Sequence, residues 1–174
     1  MVDAGSTPEW WDSAKQAISA SDTLLNDVIE EFEEPSLRSR GDLFATLIKS
    51  IVGQQISVVA ASAIWSRLED FVGQVTPESI LAKPHQEIKE VGLSNRKVEY
   101  IAGISQAWID GFGKIDWDEM SDEEVIEELV KLRGVGRWTV QMLLIFALLR
   151  PDVFPIDDIG LIRGMEKLYN EGKA

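Results

Sequence analysis

The sequence predicts an all-α fold, and three observations carry that expectation. Apolar residues recur at helical spacing along nearly the whole chain, proline and glycine fall between those stretches, and no stretch keeps a two-residue alternation for long. With 174 residues, 45% of them hydrophobic, the chain is long enough for one compact domain or two small lobes sharing a core.

The elements follow in order. Ser6-Thr7 are cap candidates for a first helix starting near Pro8 or Glu9. A second helix runs from about Asp22, with Leu24, Leu25, Val28, Ile29 and Phe32 on one face and Pro35 closing it. Asp42 caps a third, in which Leu43, Leu47 and Ile51 form one row and Phe44, Ile48 and Val52 the row beside it. Gly53 interrupts, and Gln54-Gln55-Ile56-Ser57 lead into a helix whose core face is Ile64, Trp65, Leu68 and Phe71. Thr76-Pro77 and Lys83-Pro84 are starts with proline at the first turn, Gly92 is a stop, and Ser94 caps a helix to about Gly111. Ser121-Asp122-Glu123-Glu124 is a capping box opening a helix to near Leu132. Arg137 to Leu149 is apolar nearly all round, which predicts a central, buried helix stopped by Pro151. A last helix begins near Asp157 or Asp158.

Composition narrows the chemistry. Without cysteine there is no disulfide, no thiolate metal site and no cysteine-held iron–sulfur cluster. The start, Met1-Val2-Asp3-Ala4-Gly5-Ser6, lacks a signal-peptide pattern, and the longest apolar run, Met142 to Leu149, is short of the roughly 20 residues that span a bilayer. A soluble intracellular protein is expected. The net charge of −13 speaks against a nucleic-acid partner, since phosphate binding usually leaves a basic footprint. The distribution weakens that objection: residues 1–40 hold nine acids and three bases, whereas 131–174 hold seven bases and five acids. The acidic excess reads as a solvated surface.

Leu132-Arg133-Gly134-Val135-Gly136-Arg137-Trp138-Thr139 joins two helices through a glycine-bracketed turn. Glycine permits positive φ and close approach of another backbone, and the next helix offers unpaired N–H groups and a dipole that favours an anion. Such a turn is a phosphate seat built from backbone. Taken alone, Gly-Val-Gly is equally a plain helix–helix connection.

Three further segments change the balance: Arg150-Pro151-Asp152-Val153-Phe154-Pro155 with Asp157-Asp158-Ile159-Gly160, Gly53-Gln54-Gln55-Ile56-Ser57, and Gly92-Leu93-Ser94-Asn95-Arg96-Lys97. Together with the hairpin, and in this order from about Trp10 onward, they resemble the helix-hairpin-helix (HhH-GPD) DNA glycosylase superfamily, and within it the DNA-3-methyladenine glycosylase II family. The resemblance implies a two-lobed helical fold with a cleft between the lobes. Residues 1–42 and 151–174 would form a terminal lobe, and 43–150 a central lobe carrying the hairpin at about 122–149. It also implies further helical sequence beyond Ala174, without which apolar surface of the first two helices stays uncovered, a surface a dimer would cover.

The function implied is that of a monofunctional glycosylase of base excision repair that flips an alkylated purine such as 3-methyladenine out of damaged double-stranded DNA and leaves an abasic site. By this resemblance Asp158 is the catalytic carboxylate, twenty residues beyond Trp138, with a buried helix of roughly 20 Å between them. A fixed anion stabilises the oxocarbenium-like charge that builds on the sugar and orients a water. An N-alkylated base is already cationic, so it leaves without strong protonation, and the only histidine, His85, reads as surface. Helix capping is the plain role for Asp157-Asp158, and it is assigned to Asp157. Gln55 is the implied intercalating residue, with helix capping as its competitor. Gly134, Val135, Gly136, Arg137 and Thr139 are the implied DNA contacts. Trp138 stands where bifunctional members carry a lysine, which predicts no lyase activity, and its electron-rich ring suits stacking on a cationic base. The other tryptophans are core or cleft lining. The resemblance implies backbone carbonyls of Val130, Leu132 and Val135 for a structural Na⁺ or K⁺ and no other cofactor. Cytoplasmic, nucleoid-associated or nuclear placement follows. The competing readings are a glycosylase for an oxidised or mismatched base, and a non-catalytic helix-hairpin-helix DNA-binding module.

Overall fold

The structure, a computed structural model, describes residues 4–32 and 36–170, and among these it is helical with no strand. The assigned close of the second helix at Pro35 and the terminal Gly172-Lys173-Ala174 lie outside the described residues.

The helices are α1 (Trp11–Ser21), α2 (Thr23–Glu31), α3 (Leu43–Gly53), α4 (Val58–Val72), α5 (Pro77–Leu81), α6 (His85–Glu90), α7 (Asn95–Asp110), α8 (Asp122–Leu129), α9 (Arg137–Phe146) and α10 (Ile159–Tyr169), with one 3-10 turn at Phe112–Lys114. Local chemistry explains most starts. Asp22, Asp42, Ser57, Thr76, Ser94 and Ser121 each accept a backbone N–H from the first turn of the helix they precede. Thr76 and Ser121 add reciprocal capping boxes with Ser79 and Glu124. The first helix departs from expectation: it begins at Trp11 behind Trp10, with no side-chain cap, rather than behind Ser6-Thr7. Two ends come early. α8 stops at Leu129 rather than Leu132, and α9 at Phe146 rather than Leu149, where Leu149 takes φ +52.

The core is built around α3. Leu47, Ile48, Ile51 and Val52 are fully excluded from solvent, and both rows read from the sequence are buried. Leu68 of α4, Ile101 and Ile104 of α7, Val125 and Leu129 of α8, and Val140, Leu143 and Leu144 of α9 pack on it. Phe44, Trp108, Phe112 and Trp117 close one end as a chain of rings about 6 Å apart. The core therefore spans residues 43–147, and α9 runs through it as its periodicity requires.

Neither α1 nor α2 contributes a buried residue, and Ile18, Leu24, Val28 and Phe32 are exposed. Polar contacts from residues flanking these helices reach the rest of the fold. Trp10 Nε1 donates to the Leu149 carbonyl at 3.0 Å, the Arg40 N–H to the Phe146 carbonyl at 2.7 Å, and Tyr169 Oη to Asp22 Oδ2 at 2.6 Å. Arg150 holds the start of α8 to the end of α9: its Nη2 donates to the carbonyls of Trp117, Asp118 and Met120, and its Nε lies 3.5 Å from Asp122 Oδ1.

Candidate active site

The hairpin between α8 and α9 turns through Gly134 at φ +93, in the left-handed region, and Gly136 precedes α9 without a side-chain cap. The first N–H groups of α9 are therefore unclaimed by a cap, as an anion seat needs. Gly134 is also required by packing: a Cβ there would lie 2.2 Å from Tyr100 Cδ2, inside the ring edge.

Asp158 sits at the N-terminus of α10. Its Oδ1 accepts the Leu161 N–H at 2.8 Å and its Oδ2 accepts Trp138 Nε1–H, also at 2.8 Å. Both donors stabilise the anion, the Leu161 amide most, then the indole, with a smaller share from the Gly160 amide, and together they hold the carboxyl below the usual aspartate range against a small opposing cost of burial. The capping role assigned to Asp157 belongs to Asp158, because only Asp158 has its carboxylate aimed back at the first-turn amide. One residue thus caps the helix and presents the anion.

Trp138 is 41% exposed and lines two hollows. A crevice of about 360 Å³ is lined by Trp138, Asp157, Asp158, Ile159 and Gly160. Trp138 also borders a cavity of about 760 Å³, together with Arg40, Gln54, Gln55, Gly136 and Phe146 among others. This cavity is large enough for a purine and mixes aromatic wall with cation. The Arg40 guanidinium lies 4.1 Å from the Phe146 ring centre, and burial pushes its pKa down.

Gln55 stands exposed at the rim, at φ +61. It does not cap α4, since the Ser57 hydroxyl accepts the Ala60 N–H at 3.2 Å. Beside it Val58 and Val59 are 83% and 81% exposed, an apolar tip that the sequence reading passed over. Its signal was two adjacent valines at a helix start, where periodicity calls for one buried face.

The surroundings of two implied contacts are specific to the fold. Thr139 is 3% exposed, so its side chain belongs to the core and only its backbone faces the hairpin. Arg137, about half exposed, is paired with Glu123: Nη1 and Nη2 donate to its two oxygens at 2.9 and 2.8 Å, a bidentate pair that raises the arginine pKa and lowers that of Glu123. Val135 is buried as well, so Gly134, Val135 and Gly136 offer backbone only. His85 is exposed, at the first turn of α6, away from these groups.

A polar tie between the Gln55 loop and the hairpin is not legible in the sequence. Gln54 Nε2 donates to the Gly134 carbonyl at 3.0 Å, across 80 residues of sequence.

Comparison with known proteins agrees with this geometry. Residues 48–174 match the family model described as HhH-GPD superfamily base excision DNA repair protein. The chain is 38% identical over 131 residues to the DNA-3-methyladenine glycosylase 1 of Schizosaccharomyces pombe, covering 72% of this chain and 58% of that protein. It is 30% identical over 158 residues to a putative DNA-3-methyladenine glycosylase of Bacillus subtilis, covering 86% of this chain and 55% of that protein. It thus spans a little over half the length of these relatives. Among solved structures, the 3-methyladenine DNA glycosylase of S. pombe in complex with abasic DNA superposes with a TM-score of 0.81 at 31% identity, covering 91% of this chain and 81% of that one. On the family match over residues 48–174, the chain belongs to the HhH-GPD superfamily of base excision DNA repair proteins.

Proposed function

We propose that this protein is a monofunctional DNA glycosylase that removes alkylated purines, 3-methyladenine among them, from damaged double-stranded DNA by hydrolysis. The observation that carries the reading is the Trp138–Asp158 pair: an ionised carboxylate, fixed by two donors, beside an exposed indole at a purine-sized cavity. The names of the relatives supply the substrate class.

The residues divide the work. The amides of the hairpin and the first turn of α9 receive a phosphate. Gln55, with the apolar tip Val58-Val59, fills the gap left by the extruded nucleotide, since the glycosidic bond cannot be reached inside the stack. The Trp138 ring stacks on the cationic base. The Asp158 carboxylate faces the sugar as its bond to the base breaks, and a water takes the anomeric carbon. Trp138 offers no amine for a Schiff base, so strand cleavage does not follow. The turn after α8 suits a monovalent cation. Its carbonyls lie past a helix end, where amide partners run out, and among the described residues the Leu132 carbonyl takes one backbone N–H, that of Val135 at 3.1 Å. Carbonyls of Val130, Leu132 and Val135 would hold the ion, which would add positive charge near the phosphate. The described residues of the ranges 1–42 and 151–174 form the second wall of the cleft in this reading.

The test is release of bases from methylated duplex DNA by the parent and by Asp158→Asn, with abasic sites counted in parallel. Release by the parent alone is expected. Binding without release by either protein would replace the reading with a non-catalytic DNA-binding module, and equal release by both would remove Asp158 from the chemistry.

A further inference from the structure

Gln55 is a non-glycine residue in the left-handed region, and such backbone persists only where its surroundings over-determine it. What determines it comes from α7. The Lys97 ammonium, half-buried, donates to the Val52 carbonyl and to the Gln54 carbonyl, both at 2.7 Å. These are carbonyls at the C-terminal end of α3, where amide partners run out and a cation is favoured by the helix dipole. Burial lowers the pKa of the ammonium, a cost that the two short bonds oppose.

The neighbouring turn of α7 does the same for the hairpin. Tyr100, three residues on and therefore on the same face as Lys97, lies directly against Gly134, and the Arg133 guanidinium sits 5.6 Å from its ring centre. Between the two contacts, Gln54 closes the circuit: its carbonyl takes Lys97 and its side-chain amide reaches the Gly134 carbonyl. Gln55 and the phosphate-holding turn are thus referred to one rigid helix face.

We propose that Lys97 is a positioning residue: through the carbonyls of Val52 and Gln54 it sets the backbone of Gln55 and, with Gln54 and Tyr100, fixes the offset between that side chain and the hairpin. This rests on Gln55 filling the gap in the duplex, as described above. An alkyl chain of similar length at position 97 keeps the packing and removes both bonds. A displacement of about 1 Å at such a site costs on the order of a hundredfold in rate.

The experiment reads insertion without chemistry. Duplex DNA carrying a tetrahydrofuran abasic analogue, with 2-aminopurine opposite, is titrated with parent, Lys97→Met, Gln54→Ala and Gln55→Ala. The parent is expected to unstack the fluorophore and brighten it, and Gln55→Ala to lose that signal. Lys97→Met should lose most of the signal while its anisotropy-measured affinity stays within about threefold of the parent, because the phosphate contacts remain; Gln54→Ala, which also frees the hairpin carbonyl, should lose most of the signal too. Thermal melts of every protein separate this from unfolding, and if Lys97→Met does not fold, Lys97→Leu, which also removes both bonds, is titrated in its place. Parent-like fluorescence in whichever variants fold overturns the proposal, as does a parent that never brightens the probe. Since no bond is cleaved, a protein that inserts but releases no base would sink the glycosylase reading and leave this one standing.

Discussion

Replacing Trp138 by phenylalanine separates the two jobs of that side chain. The ring stays available for stacking, and the Nε1–H bond to Asp158 Oδ2 at 2.8 Å is lost. A hydrogen bond to a charged group contributes about 1.5–3 kcal/mol, and the exposure of the indole places this one at or below the low end. At about 1.4 kcal/mol per decade of rate, the single-turnover constant for release of an alkylated purine should fall about tenfold at neutral pH. There Asp158 stays ionised in both proteins, so the loss reflects a carboxylate free to turn about its remaining bond to the Leu161 amide. The pH profile gives a second reading. The folded pKa of Asp158 is depressed, so the anion persists as pH falls until that depressed value is reached. With one donor removed the pKa rises toward the ordinary aspartate value, and the acidic limb of the rate profile should move to higher pH. The assay is single-turnover base release from methylated duplex across the acidic range. A rate within twofold of the parent together with an unmoved acidic limb would refute the idea that the indole holds the carboxylate.

Two other outcomes are expected. Glu123→Gln should free the Arg137 guanidinium from its bidentate partner, tightening DNA binding at low salt and steepening the slope of log affinity against log salt by about 0.9, which anisotropy titrations at several salt concentrations would detect. Gly134→Ala should lower stability by more than the about 1–2 kcal/mol that a left-handed alanine costs, because its Cβ also meets Tyr100; pairing it with Tyr100→Ala should recover part of the loss in thermal melts, and no recovery would show that backbone strain alone is responsible.

Much of the fold is local, and local chemistry is legible in a sequence. Asp22, Asp42, Ser57, Thr76, Ser94 and Ser121 are all read correctly as helix starts, because a cap needs only its own first turn. The burial of α3 and α9 follows from their apolar faces in the same way. What escaped depends on which distant groups meet. Thr139 reads as polar beside a polar turn, yet it lies on the buried face of α9. Arg137 is an implied DNA contact, and its pairing depends on Glu123, fourteen residues earlier on α8. Nothing near Lys97 indicates that its ammonium ends on carbonyls more than forty residues away. Asp157 and Asp158 are indistinguishable by residue type, and only the entry angle of the chain into α10 decides which one caps.

The double role of Asp158 gives α10 a use as an instrument. The amide of Leu161 is hydrogen-bonded to the carboxylate proposed to act on the sugar, so its exchange with solvent deuterium occurs only when that carboxylate lets go or the first turn frays. Exchange at this one proton therefore reports, in a resting protein with no DNA present, what fraction of molecules hold the group ready. At the other end of the same helix Tyr169 is bonded to Asp22, so loosening of that distant contact should register at Leu161 as faster exchange if the helix opens as a unit. The readiness of the site is then a property of a helix–coil equilibrium, measurable separately from catalysis.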